Sequence, residues 1–188
     1  MIYQISGFRE SDHGSGTILD TARLRYGLSE HFKVAQGNIH AYVFGEHGDT
    51  SFIPWTGAYI SGLSTDEYYE EMKAHGKDVK PLDKEAMLEY VQKSGGKVIA
   101  KKGATFYAVS ATVCQLVGLI LAASDSLATV SSMLHGEYGI EDVCLSTLTL
   151  VGPNGTQGKV QMRMNKEEVA LLKKSADALK EVIAQIEL

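Results

Sequence analysis

The chain has 188 residues, with 23 acidic and 18 basic side chains and a formal net charge of −5. Domains usually run to ~100–200 residues, so one domain is expected, large enough to fold without disulfide or metal staples. A hydrophobic content of 44% and a charged content of 22% exclude wholesale disorder, and the mild acidity excludes the basic surface of a nucleic-acid binder.

The opening segment, Met1 to Ser15, reads as an extended lead-in with neither a basic nor an apolar signal-peptide region. From Gly16 to Val34, Ile18, Ala22, Leu28 and Phe32 recur at helical spacing, with Gly27 as an interior flaw. Ile39 to Phe44 alternates as a strand does, and Gly45-Glu46-His47-Gly48-Asp49 ends it. Ser51 to Trp55 reads as a short partner strand, and Ser61 to Lys84 as a polar mixed stretch. Glu85 to Lys102 reads as a helix interrupted at Gly95-Gly96.

Gly103 to Ser124 is 22 residues without a charge, long enough to span a bilayer. Its interspersed Thr105, Ser110, Thr112, Gln115 and Ser124 predict a central buried helix instead, so no membrane contact is expected. Thr129–Leu134 and Val143–Val151 read as strands, Gly152-Pro153-Asn154-Gly155 as a turn and Gly158–Met164 as a returning strand. In the last helix Asn165 and Glu168 form a capping box, and Met164 and Val169 a hydrophobic staple. Val169, Leu172, Ala176, Leu179, Ile183 and Ile186 form its apolar stripe, expected to pack on its own domain. The mixed order of helices and strands predicts an α+β fold of antiparallel strands packed with long helices.

The usual nucleotide loops are absent, since Leu19 occupies the last glycine position of a G-x-G-x-x-G beginning at Gly14, and there is no Walker A sequence. Cys114 and Cys144 have no metal-ligand spacing and fit a reducing cytoplasm. His40 and His47 suggest no third ligand, so no metal is expected. Two short stretches carry chemistry. Asp20 and Arg23, three apart, share a helix face, where they could be a simple ion pair. A guanidinium there can also grip a carboxylate with two parallel hydrogen bonds, and an aspartate can hold an imidazole in one tautomer. His47, between Gly45 and Gly48, is an accessible acid/base with an ordinary pKa near 6.5.

Together, Leu19-Asp20-Thr21-Ala22-Arg23 and Gly45-Glu46-His47-Gly48-Asp49 resemble the L-lactate dehydrogenase family of 2-hydroxy acid dehydrogenases, whose motifs read LDxAR and GEHGD. Trp55, Lys102-Gly103-Ala104-Thr105, Gly136-Glu137-Tyr138-Gly139 and Ser175-Ala176 match in order, so the resemblance spans nearly the whole chain. It implies that His47 exchanges a proton with the substrate oxygen, that Asp20 pairs with His47, that Arg23 anchors the substrate carboxylate and that Thr105 lines the pocket. It also implies that Arg25 and His40 bind a phosphate of fructose 1,6-bisphosphate between subunits of a homo-oligomer, a tetramer in the intact family.

On this resemblance residues 1–188 are the C-terminal catalytic domain, and the NAD-binding Rossmann domain, with its mobile loop, is absent from the sequence. The expected function is pyruvate/L-lactate interconversion, with the isolated chain inactive. An L-2-hydroxyisocaproate or malate dehydrogenase domain, or a non-catalytic binding or assembly module, is the alternative. Ser11-Asp12-His13, Leu145–Leu148 and Gln161–Met164 depart from the family pattern.

Overall fold

The computed structural model describes residues 13–122 and 124–186, so most of the expected extended lead-in lies outside the described residues. The first helix, α1, spans Ile18–Phe32 and buries Leu24, Leu28 and Phe32. Ala22, expected on that apolar face, is exposed. Gly27 is not a flaw. A Cβ there would lie 2.7 Å from Met87 Sδ, so its absence lets a later helix approach closely.

The expected strand from Ile39 to Phe44 pairs as a strand only at its start. β1 (Ile39–His40) pairs antiparallel with β2 (Tyr59–Ile60), which pairs with β3 (Leu63–Ser64). The following residues turn to α1, whose side chains take the place of a neighbouring strand. Val43 N donates to Thr21 Oγ1 at 3.0 Å, Thr17 Oγ1 donates to Val43 O at 2.5 Å, and Arg25 Nε donates to Ala41 O at 3.1 Å. Ser51–Trp55 likewise contributes a single bridge, Phe44 to Phe52, in place of a strand. Pro54 then leads into a 3-10 turn at Trp55–Gly57.

The polar stretch from Ser61 contains a helix, α2 (Thr65–Ala74), started by a capping box between Ser64 and Glu67. α3 runs unbroken over Lys84–Lys102, so Gly95-Gly96 does not interrupt it, and it ends at Gly103 in the left-handed region. Two glycines weaken a helix by about 1 kcal/mol each, less than the packing of Val91, Leu88 and Met87 against the first core supplies.

The apolar segment forms α4 (Tyr107–Leu121), but it is not a central buried helix. It buries only Thr112 and Leu116, while Tyr107 is 82% and Leu121 79% exposed and Val109, Val113 and Val117 share the open face. Its length and the polar residues within it leave no helix, among the described residues, long and apolar enough to cross a membrane.

The C-terminal half folds into two small antiparallel sheets. β5 (Ser131–His135) pairs with β6 (Glu141–Ser146), and β4 (Ser126–Ala128) with β7 (Thr149–Gly152) and β8 (Gly155–Lys159). The expected Val143–Val151 strand is thus two strands in different sheets, and the returning strand runs over Gly155–Lys159, starting at the last residue of the predicted turn and ending well short of Met164. α5 (Lys166–Ile183) carries the predicted capping box at Asn165 and Glu168. Its Leu172 and Ala176 are buried, whereas Ile183 and Ile186 lie open, so only the first part of the stripe packs on the domain.

Every strand pair is antiparallel among the described residues, and helices cover the sheets, which is the α+β arrangement expected. Three apolar clusters hold it. One joins α1, α3, β1 and β2 through Leu24, Leu28, Ile60 and Val91. A second joins Phe44, Phe52, Leu134, Leu145 and Leu172, and a third joins Ile18, Leu116, Val130 and Val151. The segment from Ala41 to Phe52 begins in the first cluster and ends in the second, and its turn, Gly45–Ser51, projects over α1.

Candidate active site

The turn is fixed at its base and on both sides. Phe44 and Phe52 exchange backbone hydrogen bonds at 2.9 and 3.0 Å, and Gly45 and Ser146 exchange two more at 3.0 Å each. Gly45 has φ +97°, a left-handed conformation that suits glycine. From α3, Gln92 Nε2 donates to the carbonyls of Asp49 at 3.2 Å and Ser51 at 3.0 Å. From α5, Ser175 Oγ accepts from Glu46 N at 2.8 Å. His47 stands at the tip of this turn with its side chain 63% exposed.

α1 is set in register with the turn by Thr17 and Thr21, which hold both backbone groups of Val43. That register aims Asp20, only 4% exposed, at His47. Asp20 Oδ2 lies 2.6 Å from His47 Nδ1, and Asp20 Oδ1 accepts from Arg23 Nη1 at 3.0 Å. One carboxylate thus joins the imidazole and the guanidinium. An ionised carboxylate only accepts, so Nδ1 carries the proton and Nε2 is the nitrogen that meets a ligand. The hydrogen bond to Asp20 raises the His47 pKa above its ordinary 6.5, against the lowering effects of partial burial and of the Arg23 charge.

Asp20, Arg23, His47 and Thr105 all line one cavity of about 260 Å³. The structure therefore brings together the four predicted site residues. Gln92, Gly95, Gly96, Ile99 and Val109, which no motif marks, line this cavity from α3 and α4. The spacing of Gln92, Gly95, Gly96 and Ile99 at i, i+3, i+4 and i+7 would have placed them on one helix face, had α3 been read as unbroken. Gly95 lies against Arg23, since a Cβ there would sit 3.7 Å from the guanidinium. A second cavity of about 540 Å³ touches His47 and is lined in part by the short residues Gly14, Ser15, Gly16, Ser131 and Ser146 and in part by the apolar Met133, Leu179 and Ile183.

Arg25 and His40 stand apart from this site. Arg25 bonds the Ala41 carbonyl, lies 5.1 Å from the Tyr42 ring centre and borders a third cavity of about 470 Å³. His40 is exposed on β1. Among the described residues no group of three or more His, Cys, Asp or Glu is placed to hold a metal ion.

Comparison with known proteins bears on the whole chain. The family profile described as lactate/malate dehydrogenase, alpha/beta C-terminal domain, matches residues 17–187. An L-lactate dehydrogenase of Acetivibrio thermocellus is 43% identical over 187 residues, covering 99% of this chain and 58% of the relative. L-lactate dehydrogenase 1 of Clostridium acetobutylicum is 43% identical over 185 residues, covering 98% and 58%. Among solved structures, the minor L-lactate dehydrogenase from Enterococcus mundtii in a ligands-bound form superposes with a TM-score of 0.90 at 30% identity, covering 99% of this chain and 58% of that one. The chain thus spans a little over half the length of these relatives. By fold and by sequence, it belongs to the lactate/malate dehydrogenase family and carries that family's alpha/beta C-terminal domain.

Proposed function

We propose that residues 1–188 are the catalytic, substrate-binding domain of an NAD-dependent L-lactate dehydrogenase that interconverts pyruvate and L-lactate. The observation that carries this is the Asp20 carboxylate shared between His47 and Arg23 at the edge of one cavity. In keto-acid reduction His47 donates its Nε2 proton to the substrate oxygen as negative charge develops there, and Asp20 stabilises the imidazolium before transfer. In the reverse direction neutral His47 takes the hydroxyl proton. Arg23 spends one N–H on Asp20 and has others in its planar fork for the substrate carboxylate.

NAD supplies the hydride acceptor and, reduced, the hydride donor. The cavity beside His47 would take the flat reacting end of that cofactor, with the short residues Gly14–Gly16, Ser131 and Ser146 and the apolar Met133, Leu179 and Ile183 among its walls. The chain has no glycine fingerprint for the pyrophosphate, so that part falls to a separate dinucleotide-binding domain. The 188 residues alone are accordingly inactive, and the working enzyme is a homo-oligomer, tetrameric as in the intact family. Arg25 and His40 are its site for fructose 1,6-bisphosphate, and a bisphosphate titration that changed neither assembly nor melting temperature would refute that part.

A second reading of the substrate has an observation behind it. Gly95 and Gly96 give the α3 wall no side chains, beside apolar Ile99 and Val109, which leaves room for a longer apolar group as in 2-hydroxyisocaproate. A malate-type dicarboxylate is less well served, because Arg23 is the only cationic side chain besides His47 in that lining.

The test is NADH-dependent reduction of pyruvate and of 4-methyl-2-oxopentanoate by the enzyme containing this chain. His47→Ala should cut turnover by about 10²–10⁴-fold, while Arg23→Ala should mainly raise KM. Full turnover in His47→Ala, or pyruvate reduction by the isolated 188 residues, would overturn the proposal.

A further inference from the structure

Ser175 sits on the buried side of α5 with no solvent exposure, beside Leu172, Ala176 and Leu179. A hydroxyl among such neighbours needs partners, because burying a polar group without them disfavours folding. The partners of Ser175 all lie in the turn that carries His47. Its Oγ accepts from Glu46 N at 2.8 Å and lies 2.9 Å from Thr50 Oγ1. Thr50 N in turn donates to Glu46 Oε1 at 3.2 Å. The turn is thereby closed on itself and moored to α5 on either side of His47.

Gly45 records the same closeness independently. A Cβ at Gly45 would lie 2.7 Å from Ser175 Oγ and 3.3 Å from Ser175 Cβ, so the turn and α5 meet with no room for a side chain. The Glu46 N–H belongs to the Gly45–Glu46 peptide plane, and the next peptide plane joins Glu46 to His47. A rotation of the first plane turns Glu46 and, through it, the plane that carries the imidazole, whose only side-chain partner among the described hydrogen bonds is Asp20.

We infer that Ser175 is the positioning residue that holds the His47 imidazole against Asp20, through the Glu46 amide and the Thr50 hydroxyl. It touches neither cavity and is not catalytic. The inference rests on the reading of His47 as the proton-transfer group, and it adds that the geometry of that group is set from α5. The α5 contact and the Gln92 contact from α3 then hold opposite flanks of one turn.

The test is an NMR titration of the His47 ring, with amide exchange at Glu46, in the 188-residue chain. Ser175→Ala should lower the His47 pKa toward the ordinary value and speed Glu46 exchange about tenfold, the equivalent of one hydrogen bond. Thr50→Val, which removes one contact without touching α5, should move the His47 pKa the same way and keeps the test available if Ser175→Ala does not fold. Ala176→Gly weakens the same helix without a bond to the turn and should leave the His47 pKa in place, which separates positioning from general loosening. Wild-type titration of His47 in Ser175→Ala, or in Thr50→Val when that alone folds, would overturn the inference. Asp20→Asn tests the underlying pair separately. If His47 titrates alike with and without Asp20, it is the acid/base reading that fails.

Discussion

Replacing Asp20 by asparagine tests the central pair through stability. Asparagine has nearly the same shape, and its Oδ1 can still accept from Arg23, which turns its amide N–H toward His47 Nδ1. A donor facing Nδ1 favours neutral imidazole, so the variant's His47 pKa falls where the wild-type value is raised. A hydrogen bond to a charged group contributes about 1.5–3 kcal/mol when shielded. The His47 side chain is 63% exposed against 6% for Asp20, and screening reduces the expected contribution to about 1 kcal/mol. Since the folded pKa lies above the unfolded one, that contribution is fully present below about pH 6.5 and is lost as pH rises through the folded value. Asp20→Asn should therefore melt below the wild type by about 2–4 °C more at pH 6 than at pH 9. The altered Arg23 contact adds an offset that does not vary over this range, so the slope is decisive. The assay is a set of thermal melts of both chains from pH 5.5 to 9, and parallel curves would refute the reasoning.

The remaining predictions concern packing and burial. Lys159 donates to Ser132 and Thr149, and burial lowers its pKa to about 8. Its folded pKa lies below its unfolded one, so it penalises folding below about pH 8, and the penalty lifts as pH rises toward 10.5. Denaturant titrations at pH 7.5 and 10 should show a smaller gain for Lys159→Met than for the wild type. Gly96→Ala meets open space and should stabilise α3 by about 1 kcal/mol in a thermal melt. Gly45→Ala should instead destabilise, because of its φ of +97° and the 2.7 Å approach to Ser175. Leu172→Ala empties a fully buried position and should cost about 2–5 kcal/mol in denaturant unfolding.

The last helix was legible because its signals are local. Asn165 and Glu168 make the capping box within one turn, and the apolar spacing through Ala176 needs no knowledge of the rest of the chain. The same signature at Ser64 and Glu67 is weaker as a sequence signal, since the helix it starts is short and polar and has no apolar stripe. Strands failed for a different reason. Ala41–Val43 alternates as a strand should, but its hydrogen bonds go to Thr17, Thr21 and Arg25, and a side chain that stands in for a strand leaves no periodicity. α4 misled because composition reports only that a helix must be covered, not by what.

The site divides along the same line. Asp20, Arg23 and His47 could be picked out because acid/base and anion-binding chemistry restricts residue type, and because a familiar spacing surrounds each of them. The groups that set their geometry have no such chemistry to mark them, although Thr21 and Ser175 lie within stretches that match the family. Thr17 and Thr21 at the start of α1, Gln92 on α3 and Ser175 on α5 are ordinary polar residues from three separate helices, and each acts through a backbone amide or carbonyl that any residue could supply. Chemistry is thus written in residue identity, whereas alignment is written in register. A substitution at the second kind of position should leave the reacting groups intact and spoil their angles, so its effect should appear in the His47 titration before it appears in the fold.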